Sequence, residues 1–189
     1  MSNSLSKLDW LQAGFRALTT AGPQALKAEP LAKSLNVSKG SFYWHFKDIK
    51  AFKAAMISYW EQAATADVIA QINGGTANPT EKLFTLAQRS TELPSANYGG
   101  PSSESAIRDW GKYDPDIARI VSEIDAQRVA FTESLFLEAG HKKTQASQSA
   151  RLLYSALIGL QILAPAQLTL PQQDLTKLVE LLLKQPAAH

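Results

Sequence analysis

Residues 31–46 read LAKSLNVSKGSFYWHF and predict two short helices joined by a tight turn. Leu31, Ala32 and Leu35 have the spacing of one inward helical face, so the first helix should pack along them. Asn36 follows, and this residue type tolerates the left-handed backbone conformation in which a helix ends sharply. The chain should therefore turn at Asn36 and begin the second helix within a few residues.

The second helix has a predicted buried face and a polar, aromatic outer face. Ser38 precedes it and is expected to accept a hydrogen bond from a free backbone N–H of its first turn. Phe42 and Phe46 lie four residues apart and are predicted to point into the core. The side chains on the other faces are hydrogen-bond donors and aromatics: Lys39, Ser41, Tyr43, Trp44 and His45. This composition favours a helix that reads DNA in the major groove.

The motif resembles the helix-turn-helix of the TetR family of bacterial transcriptional regulators. The family pattern is roughly Ile-Ala, a small residue, Gly-Val-Ser, Lys-Gly-Ser/Thr, an apolar residue, Tyr, any residue and His-Phe. The matching residues of this chain are Leu31-Ala32, Asn36-Val37-Ser38, Lys39-Gly40-Ser41, Phe42-Tyr43 and His45-Phe46. The resemblance implies an all-α fold of about nine helices, with a three-helix head on a helical body.

The resemblance also implies a division of labour along the chain. Residues 1–47 are expected to form the helix-turn-helix DNA-binding domain. Residues 48–189 are expected to form a ligand-binding and dimerisation domain, linked to the head by a helix that starts at about residue 48. In this family the final helix pair forms a four-helix bundle with a second subunit. The corresponding helices here are 144–163 and 171–183, so a homodimer is implied.

Length and composition predict a protein that folds around a hydrophobic core without disulfides. A chain of 189 residues should bury roughly 70% of the surface that it exposes when unfolded, without disulfide or metal staples. It has no cysteine, and His45, His141 and His189 are far apart in sequence, so we predict neither a metal site nor a cofactor. No apolar run approaches twenty residues and residues 1–18 do not resemble a leader, so we expect a soluble, cytoplasmic protein without a membrane partner.

Charge is distributed unevenly along the sequence. Residues 1–53 contain eight Lys and Arg against three Asp and Glu, a net charge of +5. The remaining residues contain eleven basic and fourteen acidic side chains, a net charge of −3. A basic N-terminal quarter is typical of a DNA-binding head, although scattered basic residues are equally compatible with an ordinary solvated surface.

Hydrophobic spacing of three and four predicts helices throughout the chain and no convincing strand. In the first helix Leu8, Leu11, Phe15 and Leu18 form the predicted inner stripe, whereas Trp10 lies off it and is expected to cover the neighbouring domain or a phosphate. The predicted helices run from Ser4 or Ser6 to about 21, then over about 27–35, 39–46, 48–73, 80–93, 104–110, 114–140, 144–163 and 171–183.

Four residues are predicted to contact DNA from the start of the two motif helices. Lys27, near the start of the first, is placed to anchor a phosphate. Gly40 would let the backbone of the second helix come close to DNA, where a side chain would hold it off. Lys39 and Ser41 lie in the first turn, the part of such a helix that reaches base edges. Lysine there suits guanine, and serine suits several bases.

Four further residues complete the predicted DNA-binding set. The resemblance places Tyr43 and His45 against the phosphate backbone, and Lys47 would add a phosphate contact. In isolation, a tyrosine at position 43 would more often fill the core than contact DNA, and a histidine at position 45 would more often be a surface or hydrogen-bonded histidine than a ligand. Trp44 could stack on thymine methyl groups or cover apolar surface of its own chain. Many members of the family have lysine where this chain has Ile49, so one phosphate contact is missing unless a neighbouring lysine replaces it.

The resemblance also implies a small-molecule effector bound in the body. Aromatic and charged side chains in the expected region are the candidate ligand-binding residues: Phe84, Tyr98, Arg108, Trp110, Tyr113 and Phe131. Aromatics at helical spacing more often belong to an ordinary core than to a ligand site. For Arg108 the simpler interpretation is an ion pair with Asp109, Asp114 or Asp116.

These features predict a ligand-responsive repressor that binds a palindromic operator as a dimer and leaves it when the effector binds. One alternative is a helical protein- or ligand-binding module with weakened DNA binding. A second is an all-helical enzyme. We predict no enzyme, because the sequence contains no nucleophile with a base partner, no metal-ligand spacing and no phosphate-binding loop.

Overall fold

The computed structural model describes residues 5–92, 98, 102–163 and 170–184, and the regular structure in these residues is helical. The α-helices are α1 Lys7–Ala21, α2 Ala28–Ser34, α3 Lys39–His45, α4 Ile49–Glu61, α5 Asp67–Gly74, α6 Pro79–Thr91, α7 Ser103–Gly111, α8 Pro115–Glu138, α9 Lys143–Leu163 and α10 Pro171–Leu183. A 3-10 turn, Pro23–Ala25, precedes α2, and a π-helical turn, Gln62–Ala66, joins α4 to α5.

The all-α prediction is confirmed. With α4, the π turn and α5 counted as one continuous segment, the described part of the chain contains nine helical segments. This segment corresponds to the helix predicted over 48–73, and the π turn within it was not predicted. A π turn inserts one residue into an α-helix, a local change that the hydrophobic period does not reveal.

The chain divides into two compact units. The first contains α1 to α4, α7 and the start of α8, and the second contains α5, α6, the rest of α8, α9 and α10. The boundaries fall after residue 63, within the π turn, after residue 92, and after residue 121, within α8. This division concerns packing, and the functional boundary after residue 47 stays a prediction.

Local signals explain how α1 begins and ends. Ser6 and Asp9 form a reciprocal cap, in which the Ser6 backbone N–H donates to Asp9 Oδ2 (2.7 Å) and the Asp9 N–H donates to Ser6 Oγ (3.3 Å). Each bond satisfies a donor that the first turn of a helix leaves free. At the other end Gly22 adopts a positive φ of 77°, which a residue with a Cβ rarely does.

The core of the first unit is built around aromatic rings. Phe42 lies 5.4 Å from the rings of both Trp10 and Phe52 and 5.3 Å from that of Phe46. Gly14 allows α1 to approach α4, since a Cβ there would come within 2.6 Å of side-chain atoms of Phe52. The aromatic packing therefore holds α3 against α1 and α4.

Two predictions for α1 were wrong. Trp10 is fully buried and belongs to the core, whereas Leu8, expected on the inner stripe, is 37% exposed. Trp10 shares its buried face with Ala13 and Gly14, which follow at spacings of three and four. Alanine and glycine contribute little to a hydrophobic pattern. The spacing of large apolar residues therefore does not reveal the buried face on which Trp10 lies.

The second unit has an aliphatic core between α5, α6, α8, α9 and α10. Its fully buried residues are Ile72, Leu83, Ala87, Leu135, Phe136, Ala146, Ala150, Leu153, Leu175, Val179 and Leu182. The helix α10 packs mainly against α6 and α9. At the end of α8, Gly140 has a φ of 93°, which confirms the predicted end of this helix.

Candidate nucleic-acid interface

The turn between α2 and α3 has the geometry of a Schellman motif. Asn36 adopts a φ of 55°, as its sequence position predicted. The N–H of Asn36 donates to the Lys33 carbonyl (3.1 Å), and the N–H of Val37 donates to the Ala32 carbonyl (3.0 Å). These two bonds satisfy carbonyls at the end of α2 and reverse the chain within two residues, so they define the turn from which α3 begins.

The inner face of α3 is formed by its two phenylalanines. Phe42 is fully buried and Phe46, directly after the helix, is almost so. The ring of Phe46 lies 4.9 Å from that of Phe52, in an edge-to-face contact. Burying two aromatic side chains stabilises the position of this short helix by several kcal/mol, on the order of 2 kcal/mol for each. The predicted anchor pair is confirmed.

Ser38 has the extended backbone of an N-cap residue, with φ −71° and ψ 150°. Its side chain accepts no capping hydrogen bond, so the predicted cap of α3 was wrong in this respect. The first turn of α3 is instead closed by the Ser41 N–H, which donates to the Ser38 carbonyl at 3.0 Å.

The outer face of α3 carries the predicted DNA-binding side chains. Trp44 is 89% exposed and Tyr43 is 53% exposed. The ring of Tyr43 also makes an edge-to-face contact with that of Phe42, with 5.3 Å between the ring centroids. Lys39 and Gly40 are exposed, and Ser41 is half-buried. The exposure of Trp44 excludes the interpretation that this side chain covers apolar surface of its own chain. An exposed aromatic pair beside a lysine is suited to contact nucleic acid.

His45 is half-buried at the edge of this surface. Its ring centroid lies 6.4 Å from those of Trp10 and Phe46. The side-chain and backbone hydrogen bonds from Ser6 hold the pKa of Asp9 below its usual range, with smaller contributions from Arg16 and His45. The His45 imidazole therefore lies near enough to the Asp9 carboxylate to interact with it electrostatically.

Two lysines flank the motif. Lys27 is the N-cap residue of α2, with an extended backbone and an exposed side chain. Lys47 is exposed in the link to α4, whose first turn is capped by Asp48 through a 2.7 Å bond from the Ala51 N–H. Ile49, which stands where many family members have lysine, is half-buried, and the next residue, Lys50, is exposed.

Sequence reasoning missed the partner of Lys39. Its ammonium lies 3.7 Å from Glu29 Oε2, which belongs to α2. The two residues are ten positions apart and meet because the turn at Asn36 folds α3 back beside α2. A glutamate in the first turn of α2 was the available signal, but its partner depended on the turn geometry.

The predicted ligand-binding residues are divided between the two compact units. Phe84 and Phe131 belong to the second unit and are half-buried against its aliphatic core. The other four belong to the first unit: Tyr98, Arg108, Trp110 and Tyr113.

The four ligand candidates of the first unit differ in their surroundings. Trp110 is buried, and its Nε1 donates to Asp114 Oδ2 at 3.2 Å. Tyr113 is 84% exposed. Arg108 forms an ion pair with Glu104, one turn earlier in α7, at 2.8 Å. The prediction had placed this ion pair with Asp109, Asp114 or Asp116. A ligand role for these residues stays a prediction.

Comparison with known proteins finds a family match in the N-terminal part of the chain. Residues 11–56 match the family model described as bacterial regulatory proteins, tetR family. By this match, residues 11–56 are a TetR-family segment. The matched segment includes all of α2 and α3, and with them every predicted DNA-binding residue. No curated protein matches the chain.

Solved structures with the TetR fold resemble the whole chain at low sequence identity. A TetR transcriptional regulator from Legionella pneumophila has a TM-score of 0.75 at 16% identity, over 96% of this chain and 98% of the other. The reduced form of E. coli NemR has a TM-score of 0.73 at 18% identity, over 96% and 99% of the two chains. At this identity the likeness establishes the TetR fold.

A third similar structure contains a small molecule. It is a putative transcriptional regulator from Saccharomonospora viridis in complex with choline, with a TM-score of 0.69 and 16% identity. The match covers 92% of this chain and 95% of the other. Among the residues that the structure describes, no helix has the length and apolar character of a membrane span, and no group of three His, Asp or Glu is arranged to hold a metal ion.

Proposed function

We propose that this protein is a ligand-responsive transcriptional repressor of the TetR family that binds a palindromic operator as a homodimer. The observation that carries the proposal is the two-faced helix α3. Phe42 and Phe46 anchor it in the core, while Lys39, Tyr43 and Trp44 extend into solvent. A short helix with one buried and one exposed face can enter the major groove while its buried side chains still hold it against the core.

The outer face of α3 offers two kinds of contact. Lys39 and Ser41 lie in its first turn and are the candidates for base edges, with Lys39 suited to the O6 and N7 acceptors of guanine. Tyr43 and His45 lie further along and are candidates for phosphate contacts. Trp44 is exposed enough to pack on a thymine methyl group. Base contacts would provide sequence preference and phosphate contacts would fix the register.

Gly40 supports close approach of this helix to DNA. Its backbone has no positive φ, and a Cβ at this position would lie 3.6 Å from Ser38 Oγ, an ordinary contact. The chain itself therefore does not require a glycine here. Absence of a side chain on the outer face of the first turn would instead let the backbone come near a base pair or phosphate.

Positive charge beside the helix supports phosphate binding. Lys27 precedes α2 and Lys47 precedes α4, and both side chains are exposed. Together with the net charge of +5 over residues 1–53, they would attract a duplex and make the affinity strongly salt-dependent. We place this activity in the cytoplasm, where a bacterial chromosome is accessible.

A face of α9 that is exposed among the described residues supports the homodimer. Residues at spacings of four and three lie along it: Gln148, Leu152, Ser155, Gly159 and Ile162. Leu152 is 55% exposed and Ile162 is 63% exposed, and a Cβ added at Gly159 would meet nothing within 4 Å. Large apolar and small residues in this pattern suit close packing against another helix. The exposed Leu181 of α10 would extend the surface.

A two-fold dimer would present two α3 helices to one face of the duplex. Half-sites would then be separated by about 34–36 Å, or by a related spacing, and the operator would be roughly palindromic. We further propose that a small molecule binds the helical body and favours a state that does not bind DNA. The choline complex of the similar regulator makes a small-molecule effector reasonable for this chain.

The alternative with specific support is a helical module whose DNA binding is weakened. Ile49 occupies a position where many family members have lysine, and Glu29 lies beside Lys39. Both features reduce the positive charge available to phosphates. This module would keep the fold and the dimer but would select no particular DNA sequence.

Selection of binding sites from random duplex DNA with purified protein would test the proposal. We expect a palindrome, bound with a Kd of about 10⁻⁸ to 10⁻¹¹ M at physiological salt. A Lys39→Ala, Tyr43→Ala double variant with unchanged circular dichroism is the matched control and should lose the enrichment. A folded, effector-free dimer that enriches no sequence would contradict the repressor and favour the module. The operator would then serve to screen small molecules for release.

A further inference from the structure

An ion pair joins α2 to α3 at the outer face of α3. We call this face, with Lys39, Ser41, Tyr43 and Trp44, the candidate DNA surface. The Lys39 ammonium is 3.7 Å from Glu29 Oε2, and both side chains are exposed. Lys39 is also the residue that the first turn of α3 would present to base edges. The free protein therefore holds its candidate base-reading cation against a carboxylate of the neighbouring helix.

The three acidic residues of the basic head have different surroundings. Asp9 accepts hydrogen bonds at the start of α1, and Asp48 caps α4, so both carboxylates stabilise helix ends. Glu29 belongs to the first turn of α2 and has Lys39 as its ion-pair partner. Its carboxylate thus lies on the candidate DNA surface, where an acid weakens phosphate binding.

We propose that Glu29 is a specificity-determining residue that reserves Lys39 for a base edge. This inference rests on the proposed DNA-binding function. On a duplex without a suitable base, Lys39 stays paired with Glu29 and adds little to phosphate attraction. Where guanine presents O6 and N7, the lysine exchanges the carboxylate for these acceptors.

The exposure of the pair makes this exchange feasible. An exposed ion pair is weak, because water screens both charges, so guanine acceptors can compete with Glu29 for the lysine. The carboxylate also repels nearby phosphates, which penalises complexes in which Lys39 contacts the backbone instead of a base. Discrimination by an unfavourable charge is a general route to specificity.

Glu29→Gln tests the inference in the full-length protein. We expect affinity for non-operator duplex to rise by about fivefold, the factor for one pair of unit charges about 4 Å apart in water. Operator affinity should rise less, so the ratio of the two affinities should fall. Preference for guanine at the position read by Lys39 should fall with it.

Glu61→Gln is the matched control, since it removes the same charge from an exposed helical glutamate of the same compact unit. It should leave the affinity ratio unchanged. The Lys39→Met variant supplies the second control. In that background Glu29→Gln should no longer alter the ratio, because the lysine that Glu29 reserves is gone. Circular dichroism and the melting temperature should match those of the wild type in all four variants.

The outcomes separate this inference from the proposed function. If wild-type protein binds no duplex even at low salt, the proposed function fails. If it selects an operator while Glu29→Gln and Glu61→Gln behave alike, the inference about Glu29 is overturned and the function stands. If Glu29→Gln lowers the ratio equally with and without Lys39, the carboxylate acts directly on DNA and the reserving role is refuted.

Discussion

Arg128 Nε donates a 2.9 Å hydrogen bond to Thr65 Oγ1 and so joins α8 to the π turn across sixty-three residues of sequence. The same guanidinium donates to the Ala64 carbonyl at 3.3 Å and to the Tyr154 hydroxyl at 3.4 Å. That hydroxyl in turn donates to Asp125 Oδ1 at 2.6 Å. One cation therefore ties the second half of the π turn to α8 and α9.

Arg128→Ala should lower the free energy of unfolding by about 2–3 kcal/mol, because it leaves buried acceptors at the π turn without their donor. Thr65→Val, which removes one of these bonds at nearly constant volume, should cost about 1 kcal/mol. Chemical denaturation followed by circular dichroism measures both. Arg151→Ala, at an exposed arginine of α9, is the control and should change stability by less than about 0.5 kcal/mol. Equal losses for Arg128→Ala and Arg151→Ala would refute the stabilising role of the cluster.

Replacing Trp10 by alanine should lower stability, whereas replacing Trp44 by alanine should lower DNA affinity, although both residues belong to the basic head. Trp10→Ala removes a fully buried ring that packs on Phe42 and should cost about 3–5 kcal/mol of stability. Trp44→Ala removes an exposed ring and should leave the melting temperature unchanged while weakening duplex binding. Thermal unfolding and DNA titration of the two variants check this. Unaltered DNA affinity in the Trp44 variant would remove this residue from the proposed interface.

His141 should make stability fall in mild acid. It follows the Gly140 turn, packs on Phe136 at 5.2 Å, and its buried Nδ1 has no hydrogen-bond partner among the described residues. Burial lowers the pKa of His141 below its ordinary value of 6.5, so the unfolded chain binds the proton more readily than the folded one. The free energy of unfolding should therefore be unaffected above about pH 6.5 and decrease as the pH falls below it.

The measurement is urea denaturation at several pH values, in wild-type protein and in His141→Gln. The difference in unfolding free energy between them should be constant above about pH 6.5 and should shift in favour of the variant at lower pH, since glutamine does not titrate there. A difference that stays constant from pH 7.5 to 5 would show that His141 does not carry this acid sensitivity.

Leu152→Glu should convert the proposed dimer into monomer, because it places a charge on the exposed face of α9 that we propose as the dimer interface. A buried unpaired carboxylate costs several kcal/mol, enough to raise the dimer dissociation constant by a factor of at least about a hundred. Analytical ultracentrifugation measures the change. Gln148→Glu, at the polar end of the same face, should have a smaller effect. A Leu152→Glu protein that remains dimeric would move the interface away from this face.

Much of the candidate DNA surface could be predicted from the sequence. Asn36 has the expected left-handed conformation, and Phe42 and Phe46 are the buried anchors. These features depend on neighbours within about four residues, where side-chain size, backbone freedom and helical period decide the outcome. The same local rules placed Gly140 at the end of α8.

Relationships between distant residues depended on tertiary packing. Whether Trp10 points inward was decided by Phe42 and by the small residues beside it, and not by its place on the first helix's apolar stripe. The ligand candidates were chosen as one set, yet they are divided between two compact units, since helical spacing records a buried face without recording what covers it.

The helices, the turn between α2 and α3 and the basic character of the head follow from the sequence alone, because each depends on local conformation or composition. The contacts of Glu29 with Lys39 and of Arg128 with the π turn depend instead on tertiary packing. Such pairings require a particular angle and distance between helices. These depend on how all the side chains between them pack, and no single segment of sequence contains that information.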